Sequence, residues 1–271
     1  MERKGNVLAI MSAKGGTGKT STTANIAAAL ASEFDRKILA IDTNITTASL
    51  GLHFGIDYPK VTIYDVLKRD YSIESSIVNY MEKLDVIPAS LKGIHIKNSE
   101  SLVSFSEKIR KLVTHYDILL STVVKKYDLV LLDAAPGFSY EAIAAMNIAD
   151  GVLFITTPEY PSLLATAKAV AYSRNAKVPM GGIVLNKMTY RNYELDPKDI
   201  RNLLGAEIAR EIPFDYAVPE SIAKGQPVVL YKKHNPASIA YKKLAGSLVG
   251  EKYYSGVFDR LKTFLMNKVP M

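Results

Sequence analysis

Short apolar runs alternate with longer helix-like segments along most of this chain. Seven runs are apolar at successive positions and rich in β-branched residues, which is typical of parallel strands covered by helices on both faces. These predicted strands are Val7–Ser12, Lys37–Asp42, Leu84–Ala89, Tyr127–Asp133, Gly151–Thr157, Gly182–Asn186 and Ile208–Ile212. The predicted helices are Thr20–Ser32, Ser99–Lys126, Tyr140–Ile148, Ser162–Arg174 and Pro197–Leu204, the last with Asp196 as its N-cap. The alternation predicts an α/β fold, a doubly wound and mostly parallel sheet flanked by helices.

The last twenty or so residues have a different pattern. No repeat, linker or composition shift divides residues 1–250, so we predict one domain there and a separate C-terminal tail over 251–271. At about 100° per residue, the apolar side chains of the tail share one arc of about 140°. They are Val257, Phe258, Leu261, Phe264, Leu265 and Val269. Such a short basic amphipathic segment favours a helix lying in a membrane interface; a helix docked on the domain's own surface is the alternative.

Composition excludes several kinds of chemistry. The 271 residues include no cysteine, which excludes disulfides, thiolate metal sites and cysteine nucleophiles, and the four histidines have no metal-ligand spacing. Lysine and arginine number 34 against 27 acidic residues, and the net charge of +7 favours an anionic partner. No apolar run is long enough to span a membrane, and the N-terminus has no signal-peptide pattern, so we expect a cytoplasmic protein.

A glycine-rich loop lies between the first predicted strand and the first predicted helix. Its sequence is Ala13-Lys14-Gly15-Gly16-Thr17-Gly18-Lys19-Thr20, which departs from the P-loop pattern only at the first position, where Ala13 replaces glycine. Such glycines let backbone N–H groups surround a phosphate at the N-terminus of the following helix. Lys19 is then expected to contact the β- and γ-phosphates and the Thr20 hydroxyl to contact Mg²⁺. The loop predicts nucleotide binding.

The string Lys14–Thr20 resembles the deviant Walker A motif of the MinD/ParA ATPases, in which an additional signature lysine stands at the position of Lys14. The resemblance implies a homodimer formed around ATP, with Lys14 reaching the partner's ATP as an arginine finger does. It also implies that ATP contacts the loop from Lys14 through Ser21. The resembling motifs extend from residue 1 to about residue 250.

Two aspartates at predicted strand ends fit the same resemblance. Asp42 precedes the segment that corresponds to switch I, and Asp133 precedes Ala134-Ala135-Pro136-Gly137, which resembles switch II. Carboxylates at such strand ends point into the ligand crevice, so we expect Asp42 and Asp133, with Thr20, to hold Mg²⁺. The alternative for either aspartate is that it caps the next helix.

Three further positions carry over from the family pattern. Asn186 matches a strand-end asparagine whose amide pairs with the adenine edge, and the segment Ile212–Asp215, which includes Pro213, resembles one that flanks the base. Asn44 departs from the pattern, because the family commonly has an aspartate there that orients the attacking water. An amide can hold a water but cannot accept its proton, so we expect slow hydrolysis rather than none.

A basic stretch also needs an interpretation. Lys224, Lys232, Lys233, Lys242 and Lys243 lie in an acid-free segment with Tyr231 and Tyr241 between them. Such a segment is typical of a DNA-binding surface, as in the ParA-type partition ATPases. The alternative, which we favour, is a solvated helix face whose lysines point outward because Ile239, Leu244 and Leu248 face the core.

The sequence as a whole favours a MinD-like Mg²⁺-ATPase that dimerises around ATP and positions other proteins. The resemblance implies a peripheral location on the inner face of an anionic membrane when ATP is bound, and a partner protein that stimulates hydrolysis. A ParA-like DNA-partition ATPase is the first alternative. A metabolic ligase or kinase on the same fold is the second, against which Lys14 argues.

Overall fold

An eight-stranded sheet runs through the part of the chain that the computed structural model describes, residues 6–90 and 104–255. Its strands are β1 Val7–Met11, β2 Ile38–Asp42, β3 Val78–Met81, β4 Leu84–Ile87, β5 Leu129–Asp133, β6 Gly151–Thr156, β7 Met180–Met188 and β8 Ile208–Pro213. They are ordered β3-β4-β2-β5-β1-β6-β7-β8. Neighbouring strands are parallel except β3 and β4, which are antiparallel.

Helices follow most strands and lie on both faces of the sheet. They are α1 Lys19–Glu33, α2 Ile63–Leu67, α3 Phe105–Val123, α4 Tyr140–Ile148, α5 Tyr160–Asn175, α6 Pro197–Leu204, α7 Ala217–Ala223, α8 Val228–Tyr231 and α9 Pro236–Leu248. Apolar side chains of α3, α4, α5 and α6 form one core with the sheet, and those of α1, α8 and α9 form a second core on the opposite face. The predicted doubly wound, mostly parallel α/β fold is therefore confirmed.

Most predicted elements are present, with shifted ends. The predicted Ser99–Lys126 helix begins at Phe105, because the Ser104 hydroxyl accepts the Glu107 N–H and caps it there, and residues 99–103 lie outside the described residues. From Val124 to Lys126 the chain continues as a 3₁₀ turn. The predicted Asp196 cap of α6 is confirmed by its 2.8 Å hydrogen bond from the Lys198 N–H.

Strand β3 is absent from the predicted strands, and β7 is longer than predicted. Strand β3 has four residues, at the edge of the sheet, and its side chains are exposed or half-buried, so it has no clear apolar alternation. Strand β7 begins at Met180, two residues before the predicted start at Gly182. Gly182 has a φ of 110°, and a Cβ there would lie 2.9 Å from the Glu207 carbonyl oxygen. This glycine therefore permits close approach of β8 inside a strand rather than marking its start.

The basic stretch is only partly a solvated face, which corrects our interpretation of α9. Lys242 is almost fully buried, and its Nζ lies 2.7 Å from Glu33 Oε1 at the end of α1. Tyr241 is buried as well, within the core formed with α1. The lysine was misassigned because the amphipathic pattern of α9 does not show that α1 presents a carboxylate to this side.

The first residues after α9 contact the residues that follow α1. Glu251 accepts a 2.5 Å hydrogen bond from Arg36 Nη2. The Tyr253 ring lies edge-on to Phe34, with 6.4 Å between the centroids, and 5.2 Å from the Lys242 Nζ. The tail therefore leaves the domain from a fixed point. The apolar arc predicted for Val257–Val269 lies outside the described residues, and the domain division at residue 250 stays a prediction.

None of the helices within residues 6–90 and 104–255 has both the length and the apolar character needed to cross a bilayer.

The Lys242–Glu33 pair predicts an asymmetry between its two partners. Glu33→Ala leaves the buried Lys242 ammonium without its carboxylate and should lower the free energy of unfolding by about 1–3 kcal/mol. The loss should be smaller than for a fully buried pair, because the Glu33 side chain is 27% exposed. Lys242→Met removes the buried charge and keeps the packing, so it should change that free energy by less than about 1 kcal/mol. Urea unfolding of both variants measures the difference, and equal losses would contradict this account.

Candidate nucleotide site at the carboxyl edge of the sheet

The central strands bring the predicted nucleotide residues together. Strand β5 lies between β1 and β2, and Asp42 and Asp133 are direct neighbours in the parallel ladder of β2 and β5. The glycine-rich loop follows β1 at the same edge, and α1 begins there with Lys19. Loop, lysine and both aspartates therefore meet because all three strands end on one side.

The loop has the backbone shape of a phosphate cradle. Gly16 and Gly18 have φ values of 79° and 88°, in the left-handed region that glycine adopts without strain. A Cβ on Gly18 would lie 2.1 Å from the Asn186 Nδ2, so a side chain would not fit there. A Cβ on Gly15 or Gly16 would meet no other atom within 4 Å, and both residues are exposed.

Asp133 connects the first turn of α1 to the sheet. Its Oδ1 accepts hydrogen bonds from Lys19 Nζ at 2.6 Å and from the Thr23 hydroxyl at 3.0 Å, and its Oδ2 accepts one from the Thr20 hydroxyl at 2.8 Å. The carboxylate is fully buried. Lys19, Thr20 and Asp133 thus form one contact group, and their expected roles toward phosphate and Mg²⁺ stay predictions.

Asp42 is held by the loop that follows it, residues 43–50, which we name the switch I loop. Its Oδ1 accepts the Asn44 N–H, and its Oδ2 accepts the N–H groups of Ser49 and Leu50, all at 3.0 Å. Burial raises the pKa of Asp42 to about 7, the adjacent Asp133 carboxylate adds to the rise, and these N–H groups and Lys19 oppose it. Two carboxylates therefore share one nearby ammonium.

This donor set fits Mg²⁺. Two carboxylates and the Thr20 hydroxyl are oxygen ligands, which this ion prefers, and its charge would relieve the repulsion that raises the pKa of Asp42. Within residues 6–90 and 104–255 no group of three or more His, Cys, Asp or Glu side chains has metal-binding geometry. The site resembles one whose other positions are filled by water and phosphate oxygens rather than a cage made by the protein alone.

Asn44 lies in the switch I loop, where its side-chain amide is hydrogen-bonded to Thr47. Its Nδ2 donates to the Thr47 carbonyl and hydroxyl oxygens at 2.8 Å each, and its Oδ1 accepts the Thr47 N–H at 3.2 Å. Those contacts use the amide within the loop itself. The predicted contact with an attacking water therefore requires this loop to open, and it stays a prediction.

Strand β7 supports the cradle from the opposite side. Asn186 Nδ2 donates to the Thr17 carbonyl and Lys187 Nζ donates to the Gly16 carbonyl, both at 2.7 Å. Part of the Asn186 amide is thus committed to the loop rather than free for an adenine edge. Pro213 ends the neighbouring strand β8, in register with Met188, so the two predicted base-binding positions lie on adjacent strands.

Lys14 in the loop and Ser21 in α1 differ in their exposure. Lys14 is exposed, and within the described part of the chain its ammonium makes no ion pair. Ser21 is buried and its hydroxyl lies 3.1 Å from His53 Nε2. Lys14 is therefore the loop residue placed to reach another molecule, whereas Ser21 faces inward.

His53 is a residue that sequence reasoning missed. Its Nδ1 donates a hydrogen bond to the Ser49 carbonyl at 3.0 Å, so in the neutral ring Nε2 accepts a hydrogen bond from the Ser21 hydroxyl. Burial lowers the pKa of His53, which favours this neutral form. The histidine connects α1 to the switch I loop, and no local pattern marks it because its partner in α1, Ser21, lies 32 residues before it.

A second missed contact joins the switch I loop to α4. The Thr46 hydroxyl donates to Glu141 Oε1 at 2.9 Å, in the first turn of the helix that follows the predicted switch II. Burial raises the pKa of Glu141, and the hydrogen bond from Thr46 opposes the rise. The two predicted switch segments are therefore linked through one carboxyl group.

The link predicts a pH-dependent effect. A raised pKa in the folded state means that the Glu141 carboxyl favours folding at low pH and loses that contribution as the pH rises through its folded pKa. Glu141→Gln keeps an oxygen for Thr46 without the charge. Relative to the unmodified protein, its free energy of unfolding should increase between pH 4.5 and pH 8, as measured by urea unfolding.

Glu82→Gln, at an exposed turn, is the control and should show no such trend. A pH-independent difference for Glu141→Gln would contradict the assigned cause.

Comparisons with known proteins agree with this geometry. Residues 5–177 match the model of a family described as an AAA domain. An uncharacterised ATP-binding protein of Methanocaldococcus jannaschii is 31% identical over 256 residues, covering 94% of this chain and 92% of that protein. The chromosome partitioning protein ParA of Caulobacter vibrioides is 30% identical over 259 residues, covering 91% and 94%.

A solved structure has the same fold. The septum site-determining protein MinD of Pyrococcus horikoshii, complexed with Mg-ADP, superposes with a TM-score of 0.78 at 29% identity, covering 90% of this chain and 95% of that one. The similarity extends over nearly the whole described chain.

Proposed function

This chain belongs to the MinD/ParA family of P-loop ATPases, and from that premise we propose that it hydrolyses ATP with Mg²⁺ as an ATP-dependent homodimer. We further propose that residues 255–271 bind an anionic membrane surface and that the dimer there positions other proteins. The observation that carries the proposal is the contact group of Lys19, Thr20 and Asp133 beside Asp42, with Lys14 exposed on the same loop.

Phosphate binding follows from the cradle and its lysine. Backbone N–H groups of residues 15–20 surround the β-phosphate at the N-terminus of α1, and Lys19 leaves Asp133 to contact the β- and γ-phosphates. Thr20, Asp42 and Asp133 then hold Mg²⁺, which neutralises charge on the phosphates. Freed from Lys19, Asp133 keeps the Thr20 and Thr23 hydroxyls as donors. The Mg-ADP complex of the Pyrococcus horikoshii protein supports this assignment.

Hydrolysis depends on charge and positioning more than on a strong base. Phosphoryl transfer passes through a loose transition state, so little proton removal is needed early. Asn44 can orient the attacking water by hydrogen bonding once the switch I loop releases its amide from Thr47. We expect slow basal turnover, which leaves room for a partner protein that stimulates it.

Dimerisation around ATP uses Lys14. The exposed ammonium can cross to the partner's nucleotide, where a cation supplied in trans offsets charge on the transferring phosphoryl group. Dimer formation and hydrolysis then depend on the same side chain.

Membrane attachment in this proposal responds to nucleotide state by avidity. One tail buries a handful of apolar side chains, and ordering it costs a comparable free energy, so a monomer binds weakly. Two tails on one dimer gain effective concentration and bind together. The anchored residues Glu251 and Tyr253 support this arrangement because they fix where each tail begins.

A DNA surface over residues 224–243 has less support. Lys242 and Tyr241 are buried, and Lys232 lies 2.6 Å from Glu220 Oε2. Only part of the basic stretch is therefore available to phosphates, although the similarity to a chromosome partitioning protein keeps DNA binding as the alternative to test.

Dimerisation can be tested with two lysine substitutions. Light scattering should show a dimer with ATP·Mg²⁺ and a monomer with ADP. Lys14→Ala should retain ADP binding and lose the dimer, because the Lys14 ammonium is the group that reaches the partner's nucleotide. Lys19→Ala should lose nucleotide binding, because the loop then lacks its phosphate cation. A Lys14→Ala protein that dimerises normally would falsify this assignment.

The tail can be tested by sedimentation with anionic liposomes and, separately, with duplex DNA, each with and without ATP. Deleting residues 255–271 should abolish ATP-dependent liposome binding and leave ATPase activity intact. Leu261→Glu should have nearly the same effect, because it places a charge in the apolar arc. Thr263→Glu, which adds the same charge on the polar side, is the control and should retain most binding. Retained liposome binding after deletion, or ATP-dependent sedimentation with DNA alone, would rule out the membrane assignment.

A further inference from the structure

His53 lies between the switch I loop and α1, next to the candidate nucleotide site. It belongs to the 3₁₀ turn Gly51–Phe54, which follows the switch I loop directly. Its Nδ1 lies 3.0 Å from the Ser49 carbonyl oxygen, and its Nε2 lies 3.1 Å from the Ser21 hydroxyl oxygen. A carbonyl oxygen can only accept, so Nδ1 carries the proton of the neutral ring. The ring therefore joins the end of the switch I loop to the first turn of α1.

The turn that carries His53 is held by close packing on its other side. Phe54 is buried, and its ring lies edge-on to Tyr80 of β3 with 4.8 Å between the centroids. The next residue, Gly55, packs so closely against Gly225 that a Cβ on Gly225 would lie 2.7 Å from the Gly55 Cα. Because such packing resists displacement, the His53 ring holds the switch I loop from a fixed base.

Ser49 is the residue of the switch I loop that His53 holds, and it contacts two of the three residues expected to hold Mg²⁺. Its N–H donates to Asp42 Oδ2 at 3.0 Å, and its hydroxyl oxygen lies 3.3 Å from Thr20 Oγ1. The Thr20 hydroxyl donates its proton to Asp133 Oδ2 at 2.8 Å, so Ser49 is the donor in the contact between the two hydroxyls. Ser49 is thus held by its N–H, its carbonyl and its hydroxyl.

The spacing of the Ser49 and Thr20 hydroxyls suits a shared cation. Mg²⁺ takes six ligands at about 2.1 Å, so neighbouring oxygens in its octahedral shell lie about 3 Å apart. The two hydroxyl oxygens, 3.3 Å apart, are close to that spacing. The Ser49 hydroxyl therefore meets the distance requirement for a neighbour of Thr20 in a Mg²⁺ shell.

From these contacts we propose that His53 is a positioning residue, which fixes the Ser49 hydroxyl as a further oxygen of the Mg²⁺ site. This role rests on the proposed binding of nucleotide with Mg²⁺. His53 does not itself touch the cation, because it acts through the Ser49 carbonyl and so keeps the serine beside Thr20. The phosphate contacts of the glycine-rich loop and Lys19 are made by other groups. His53 should therefore affect Mg²⁺ more than the nucleotide.

Two substitutions of His53 separate its two contacts. His53→Gln extends an amide to the position of Nε2 and keeps an acceptor for Ser21, but it leaves no donor where Nδ1 stood. His53→Asn places an amide N–H near the position of Nδ1 and keeps the donor to the Ser49 carbonyl. We expect His53→Gln to impair the Mg²⁺ site and His53→Asn to retain it. The opposite order would overturn the proposal, since the contact with α1 would then be the one that matters.

The measurement is the ADP dissociation constant of the full-length protein by titration calorimetry, once with excess Mg²⁺ and once with EDTA. The ratio of the two constants reports the Mg²⁺ site, because the affinity of Mg²⁺ for free ADP is the same for every variant. His53→Gln should lower this ratio by about ten-fold, the lower end of the effect of outer partners on metal affinity. Ser49→Ala should lower it at least as much. The constant in EDTA should stay the same, whereas a purely structural defect would weaken both.

A double variant tests whether His53 acts through Ser49. With the Ser49 hydroxyl absent, His53→Gln has no oxygen to misplace, so the double variant should match Ser49→Ala. His115→Gln is the matched control, because the Nδ1 of His115 also contacts a carbonyl four residues earlier, that of Lys111 at 2.8 Å, but within α3. This control should leave both constants unchanged.

A thermal unfolding scan shows which variants are folded at the temperature of the titrations. If His53→Gln is unfolded there, a lowered ratio for Ser49→Ala with a retained ratio for His53→Asn supports the proposal. An unmodified protein that binds ADP equally with and without Mg²⁺ contradicts the proposed function and this role of His53 with it. If the unmodified protein gains affinity from Mg²⁺ and either His53→Gln or Ser49→Ala gains as much, only the roles of His53 and Ser49 are overturned.

Discussion

The contact between two buried carboxylates at the ends of neighbouring strands determines much of this structure. Asp42 and Asp133 face each other across β2 and β5, with the Lys19 ammonium as the nearby counter-charge. The repulsion is tolerated because Asp133 receives three side-chain donors and Asp42 receives three backbone N–H groups. Binding of a cation, or displacement of Lys19, therefore changes the net charge around Asp42 and Asp133. These two carboxylates accept the hydrogen bonds that hold α1 and the switch I loop.

The switch I loop is the element that depends most on the charge around Asp42, because three of its N–H groups donate to that carboxylate. Its backbone is fixed by Asp42, its Ser49 carbonyl by His53, and its Thr46 hydroxyl by Glu141. The three holding groups come from β2, from the 3₁₀ turn Gly51–Phe54, and from α4. Release of any one of them affects the Asn44–Thr47 contacts, which keep the amide folded into its own loop.

The sequence predicts the parts of this site that depend on local order in the chain. The glycine-rich loop, Lys19 and the two strand-end aspartates are readable because strand, loop and helix follow one another with fixed chemistry. The Thr46–Glu141, Asn186–Thr17 and Lys242–Glu33 contacts join residues far apart in the sequence, so no local pattern encodes them. Edge strand β3 was not predicted for another reason. Its side chains are exposed or half-buried, so they show no alternation of apolar and polar residues.

Helix α1 joins the two ends of this molecule mechanically. Lys19 of the nucleotide site is its first residue, and Glu33, paired with Lys242 of α9, is its last. Fifteen residues form a rod of about 22 Å, so a tilt of about 5° at the phosphate loop displaces the far end by about 2 Å. Because Phe34 and Arg36 contact Tyr253 and Glu251, a rigid tilt of α1 would also move the start of the tail. Helix α1 would then act as a lever between the glycine-rich loop and the tail.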